Sequence, residues 1–291
     1  MSRIIGIDIG GTNFRIGLSD ETGGLLKFRK LPVKDILRSD NVLEDIAAFI
    51  DGYAEGEEIE AVSIGFPATL NRERTRVLQA PNLRFMENLP VVDYLSQRLH
   101  THVFAERDVT MTLSYDVRKY HVPMDGVIIG IYFGTGIGNA IMIDGQFLRG
   151  RNGTAGELGH IPVDGNDELC GCGLRGCIEN LAGGKYLAGR YAHDEIADVF
   201  VNNASELEEF IVRMAACVSI EVNILDPEYV ILGGGVLNMK GFPRETLHSK
   251  ILEHVRRPYP AEGLRVIYAE DEPEKSVKGA VHYALSMMKS K

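Results

Sequence analysis

An α/β fold made of two similar halves is what this sequence predicts, and three observations predict it. The chain has 291 residues, beyond the size at which a single hydrophobic core keeps growing, so two domains are expected. Apolar strand-like runs are interspersed with segments of helical period. The opening also returns: GVIIGIYFGTGIGNAIMIDGQFLRG can be laid beside RIIGIDIGGTNFRIGLSDETGGLLKFRK, about 120 residues earlier, a spacing far longer than that of solenoid arrays.

The elements follow in order. RIIGIDIG is an apolar strand, NFRIGLSD alternates as a second, Glu21–Gly24 is a turn and LLKFRK is a third strand. Asn41 and Glu44 stand at capping-box spacing ahead of Leu43, Ile46, Ala47 and Ile50, which repeat at helical period. EAVSIGF reads as a buried strand ended by Pro67, VVDYLSQRLH as a helix, THVFAE as a strand and DVTMTLSYDVRKY as a helix. After the repeated meander come a Cys-rich loop and a long helix carrying Ile211, Met214, Ala215, Val218, Val222 and Leu225. EYVIL then runs into a glycine turn, and VKGAVHYALSMMK is a C-terminal helix. The expected lobes are 1–118, joined by helix 276–291, and 119–275, which holds the Cys-rich loop. They are expected to face each other across a cleft, a favoured place for small ligands.

Composition excludes several classes. Apolar residues make up 45% and charged residues 25% of the chain, an ordinary globular balance. No apolar run reaches the roughly 18–20 residues that span a bilayer, and the opening lacks a small-residue cleavage site. A cytoplasmic protein with no membrane partner is expected. The net charge of −10 and the lack of a basic face argue against nucleic acid, though not against a locally bound polyphosphate.

The chemistry-bearing residues fall in four places. Asp8, Gly10, Gly11, Thr12 and Asn13 lie at the first strand turn. Glycines there let backbone N–H groups approach phosphate and permit positive φ, Thr12 adds a hydroxyl, and Asp8 could hold Mg²⁺ through water. A plain hairpin with a structural Asp stays open. Gly134, Thr135, Gly136 and Gly138 form the second copy; a strand rather than a helix follows, which argues against a dinucleotide fingerprint. Gly233, Gly234 and Gly235 follow YVIL and could admit the face of adenine or make a tight turn. His160, Cys170, Cys172 and Cys177 offer one imidazole and three thiolates, the set of a closed tetrahedral structural zinc site. Glu157 and Glu179 flank those ligands and could accept from sugar hydroxyls, or simply face solvent.

These motifs together resemble the ROK family of bacterial sugar kinases and repressors. The resemblance rests on IDIGGT (Ile7–Thr12), GTGIG (Gly134–Gly138), AGELGH (Ala155–His160), CGCGLRGCIE (Cys170–Glu179) and LGGGV (Leu232–Val236). It implies an actin-like ATPase (ribonuclease H-like) fold, a hexose phosphorylated at its 6-hydroxyl, Mg-ATP as donor and a homodimer. It makes Asp108 the catalytic base, at a strand–helix junction where backbone N–H groups are expected to keep it ionised; a helix cap is the other reading. It adds Asn82, Glu157, His160 and Glu179 as sugar contacts. Arg107, also a candidate sugar contact, stands where many members have a sugar-binding Asn, and Ala68 where many have Gly. These departures, with LSYDV, FPRETL and RRPYP, resemble allose kinases; glucokinase and N-acetylmannosamine kinase remain alternatives. Repressor members carry an N-terminal winged helix ahead of the first strand, so a kinase is expected over a sugar-sensing regulator, while Asp108 and both Gly-Thr turns argue against a non-catalytic sugar-binding module.

Overall fold

The computed structural model describes residues 3–203 and 205–289, and the chain divides into two compact units. The first comprises 3–121, 149–155 and 272–289; the second comprises 122–148 and 156–271, less residue 204.

The first unit is built on a five-stranded sheet. Its chain order is β1 (Arg3–Ile9), β2 (Asn13–Ser19), β3 (Leu25–Pro32), the short α1 (Val33–Ile36), α2 (Val42–Ala54) and β4 (Ile59–Phe66). The hairpin β5 (Thr69–Leu70) and β6 (Val77–Gln79), α3 (Val91–Leu99), β7 (His102–Arg107) and α4 (Asp108–Lys119) follow. The strands lie in the order β3-β2-β1-β4-β7, antiparallel through the meander and parallel from β1 to β4 to β7. β1 and β4 are apolar over most of their length because both sheet faces are covered. Ile5, Ile7, Ile46 and Ile64 are buried, each contributing about 1.5–3 kcal/mol. Asn41 accepts from the Glu44 amide at 3.4 Å. The Glu44 carboxylate does not reach back as a capping box requires; it takes Tyr94 Oη at 2.9 Å and Arg98 Nε at 3.0 Å.

The second unit repeats the plan. It runs through β8 (Val127–Phe133), β9 (Ile137–Ile143), β10 (Gln146–Phe147), α5 (Glu179–Ala182), α6 (Gly184–Ala188) and α7 (Val199–Asn202). Then come α8 (Glu208–Leu225), β11 (Tyr229–Gly233), α9 (Arg244–His254) and β12 (Val266–Tyr268). The sheet order β10-β9-β8-β11-β12 has the same antiparallel-then-parallel pattern. Helix α8 packs its apolar face, with Met214, Val218 and Val222, into a core shared with Ile129, Ile131 and Val230.

The last helix, α10 (Lys275–Lys289), returns to the first unit. It lies on β1 at close range: a Cβ on Gly6 would overlap the Val277 carbonyl. Residues 149–155, expected with the second lobe, belong to the first unit. The cause is a buried charge. Glu106, fully buried, pairs with Arg74 at 2.8 Å and Arg149 at 3.5 Å, and accepts from Tyr283 Oη at 3.3 Å. Arg74 donates onward to the Gly153 carbonyl at 2.8 Å, and Arg149 to Tyr283 Oη at 2.8 Å. Among the described residues no helix is long and apolar enough to cross a membrane.

Candidate active site and metal centre

In the first unit, hairpin register and a strand end gather the predicted residues. Asp8 is the penultimate residue of β1 and lies across from Arg15 on β2. Its Oδ2 accepts from Arg15 Nη1 at 2.7 Å and from Ser276 Oγ, at the start of α10, at 2.8 Å. A carboxylate has about four lone-pair sites, so capacity remains for a hydrated cation. Neither Arg15 nor Ser276 stands out in the sequence. Arg15 is legible in principle, because an Asp8–Arg15 pair follows from the hairpin register alone.

The turn Gly10–Asn13 closes with Gly10 N–H donating to the Asn13 carbonyl at 2.9 Å. Its glycines do not use the positive φ that the sequence suggested; none of Gly10, Gly11, Gly134 or Gly136 has it. The requirement at Gly11 is room: a Cβ there would lie 3.2 Å from the Cβ of Asn82. That contact places the exposed Asn82 beside the turn.

Asp108 opens α4, and the cap position is Arg107, whose side chain makes no cap bond. The Asp108 Oδ1 accepts from the Val109 amide at 2.7 Å. Backbone donors were expected to hold this carboxylate ionised, but the balance goes the other way. Burial first, and then the Asp8 charge, push its pKa up to about 6, against the Val109 amide and the Arg107 charge. The helix start lies against Gly65 of β4, where an added Cβ would stand at ordinary contact, 3.5 Å, from Asp108 Cα and at a tighter 3.3 Å from Met111 Cγ. Arg107 directs Nη1 to the Ala155 carbonyl at 2.8 Å, so its guanidinium is engaged by the segment 149–155.

In the second unit, the turn after β8 mirrors the first. Gly134 N–H donates to the Gly136 carbonyl at 2.9 Å. Gly184 and Lys185 amides reach the Gly134 and Thr135 carbonyls, each at 2.8 Å. Glu179, the first residue of α5, accepts from the Ile137 amide at 3.0 Å and is partly buried rather than solvated. Gly138 continues the strand within β9. Gly233 ends β11, where a Cβ would meet the Tyr132 ring at 2.9 Å. Gly234 has φ +97°, and a Cβ there would come within 2.5 Å of the Phe133 carbonyl, so the tight turn accounts for it. Gly235 is exposed, and a Cβ added there would meet nothing within 4 Å.

His160, Cys170, Cys172 and Cys177 bring their ligand atoms within 4.8 Å of one another. Cys170 Sγ lies 3.6 Å from His160 Nδ1, and Cys172 Sγ lies 3.6 Å from Cys177 Sγ. Ligands on a tetrahedral zinc are roughly 3.4–3.8 Å apart when zinc–sulfur and zinc–nitrogen bonds are about 2.3 and 2.0 Å. The cluster is therefore compatible with the ion in donor type and number, and its two 3.6 Å contacts match that spacing. Burial pushes the Cys177 thiol up to about 12, a penalty that a bound cation would reverse. His160 presents Nε2 to Glu157 at 3.6 Å, the carboxylate–imidazole pairing common behind metal ligands.

Several known proteins are similar to this chain. The model of the ROK family matches residues 4–287. A Thermotoga maritima protein named glucokinase is 30% identical over 284 residues, spanning 87% of this chain and 88% of its own. A Yersinia pseudotuberculosis protein named N-acetyl-D-glucosamine kinase is 28% identical over 288 residues, 90% of each chain. The solved structure of a ROK family glucokinase from Streptomyces griseus, in complex with glucose and AMPPNP, has a TM-score of 0.79 at 27% identity, covering 97% of this chain and 98% of that one.

Proposed function

Because the chain belongs to the ROK family and has the actin-like ATPase fold of its structural neighbours, we propose that it is an ATP-dependent hexose kinase acting at the sugar 6-hydroxyl. The observation that carries this reading is Asp108: a carboxylate at a helix start, beside a second carboxylate, with its pKa raised to about 6. Such a group is ionised at neutral pH yet basic enough to take a proton as it is released. In the reaction, the 6-hydroxyl oxygen attacks the γ-phosphorus, its proton passes to Asp108, and the bond to the β-phosphate bridging oxygen breaks to release ADP. Asp8 would hold hydrated Mg²⁺, which when bound neutralises charge on the phosphate oxygens. The turns Gly10–Asn13 and Gly134–Gly138 would offer amides to the phosphates, with Gly233–Gly235 at the adenine. Asn82, Glu157, His160 and Glu179 would accept from or donate to sugar hydroxyls. Zinc on His160, Cys170, Cys172 and Cys177 would cross-link the sugar loop.

D-allose is our preferred hexose, on the departures at Arg107 and Ala68 from the glucokinase-like pattern. Glucose is the second reading, favoured by the relatives named glucokinase. ADP formation across a hexose panel tests both. The highest kcat/KM with D-allose supports the first, and a glucose preference replaces it with the second. No turnover with any hexose, from folded protein with metal bound, rejects the kinase reading. A cytoplasmic homodimer completes the proposal; a monomer by light scattering would remove the dimer.

A further inference from the structure

Within the second unit, the metal-ligand cluster and the turn Gly134–Gly138 are joined by one side chain. Cys177 is followed by the buried Ile178 and then by Glu179. The Glu179 carboxylate takes the Ile137 amide at 3.0 Å, directly after Gly136. Two glycines clear the space it occupies. A Cβ on Gly136 would overlap the carboxylate, and one on Gly159 would lie 3.2 Å from its Oε2. Gly159 is in turn the neighbour of His160, another metal ligand. The backbone beyond Glu179 completes the joint, with the Gly184 amide on the Gly134 carbonyl at 2.8 Å.

We infer that Glu179 is a positioning residue for nucleotide as well as a sugar contact: it braces the turn Gly134–Gly138 against the metal-bearing loop, so nucleotide affinity depends on this carboxylate and on the metal. A turn with three glycines gains little rigidity from its own backbone. A charged acceptor on the amide at its exit fixes the peptide planes that present the neighbouring amides to phosphate. The metal restrains Cys177 and His160, and these flank Glu179 and Gly159. Losing the ion frees the brace.

This inference rests on the reading of Gly134–Gly138 as a nucleotide turn. Its test is the affinity for Mg-AMPPNP in the absence of any sugar, measured by calorimetry on protein of known zinc content. A residue that serves only the sugar leaves this affinity untouched. For Glu179→Ala with full zinc content, the dissociation constant is expected to rise about tenfold, the size of one lost charge-assisted hydrogen bond. Glu179→Gln keeps an acceptor oxygen and is expected to recover most of that loss. Wild-type protein treated with a zinc-selective chelator, Mg²⁺ restored and circular dichroism unchanged, should behave like the alanine variant. Sugar-free affinity within about twofold of wild type in zinc-replete Glu179→Ala overturns the inference and leaves the kinase reading intact. A wild-type protein that binds no nucleotide overturns both.

Discussion

At the scale of single residues, environment sets how basic a carboxylate is. Asp8 and Asp108 are close enough for the charge of one to raise the pKa of the other, and burial adds to it. Asp108 in the free protein should therefore titrate near pH 6. Its useful form is the ionised one, so kcat/KM should rise with pH through about 6 and fall about tenfold per unit below it. A flat profile down to pH 5 would take the base role from Asp108. Asp108→Asn should lower kcat by roughly 10²–10⁴-fold while sugar affinity largely survives; near-normal turnover would sink the assignment. Glu221 shows the same physics away from the predicted site residues. It is buried on α8, accepts from Asn139 Nδ2 at 2.8 Å, and burial raises its pKa to about 8. Because the folded value lies above the unfolded 4.5, the native state holds a proton that the unfolded chain gives up between those values. Stability from this group is full below 4.5 and declines as pH rises through about 8. Glu221→Gln, uncharged throughout, should flatten the fall in Tm between pH 5 and 8, and an unchanged slope would show that Glu221 is not its source.

At the scale of elements, close packing and buried charge set what sequence propensity cannot. Gly279 lies inside α10, where alanine would ordinarily favour the helix by about 1 kcal/mol. Here a Cβ would overlap the Met111 carbonyl of α4, and backbone cannot swing aside as a side chain can. Gly279→Ala should therefore destabilise by about 1–3 kcal/mol, against its propensity; a rise in the urea midpoint would refute the close approach. The segment 149–155 is held by a different device. Arg74 and Glu106 form an ion pair with both side chains buried. Arg74→Ala leaves a buried carboxylate with Arg149 as its remaining charge partner and frees the Gly153 carbonyl. A loss of about 3–5 kcal/mol is expected in chemical denaturation, and a change below about 1 kcal/mol would mean that water already serves Glu106. None of this could be read from periodicity. Glu106, Arg74, Arg149 and Tyr283 come from four separate segments, and a charged residue in a sequence reads first as a solvated one.

At the scale of the whole molecule, the doubled plan was legible because it lies in local signals. Two meanders with glycine turns, each feeding parallel strands, specify two sheets of one topology. The metal cluster was legible for a similar reason, since three cysteines within one short loop and a histidine ten residues earlier need little tertiary knowledge. The pKa of Asp108 and the engagement of Arg107 by Ala155 were not, because each depends on groups brought together only by folding. The two-unit plan carries a prediction about the metal. Its ligands all lie in the second unit, and ligation binds native chain in preference to unfolded chain. Zinc-selective chelation should therefore speed amide exchange first in 156–183, around the ligands and α5. Strands β1, β4 and β7 hold their own core in the first unit and should keep their protection. Hydrogen exchange read by mass spectrometry distinguishes the outcomes. Exchange that rises equally in both units on chelation would mean that they unfold as one cooperative body, and the metal's stabilisation could not be confined to the loop that binds it.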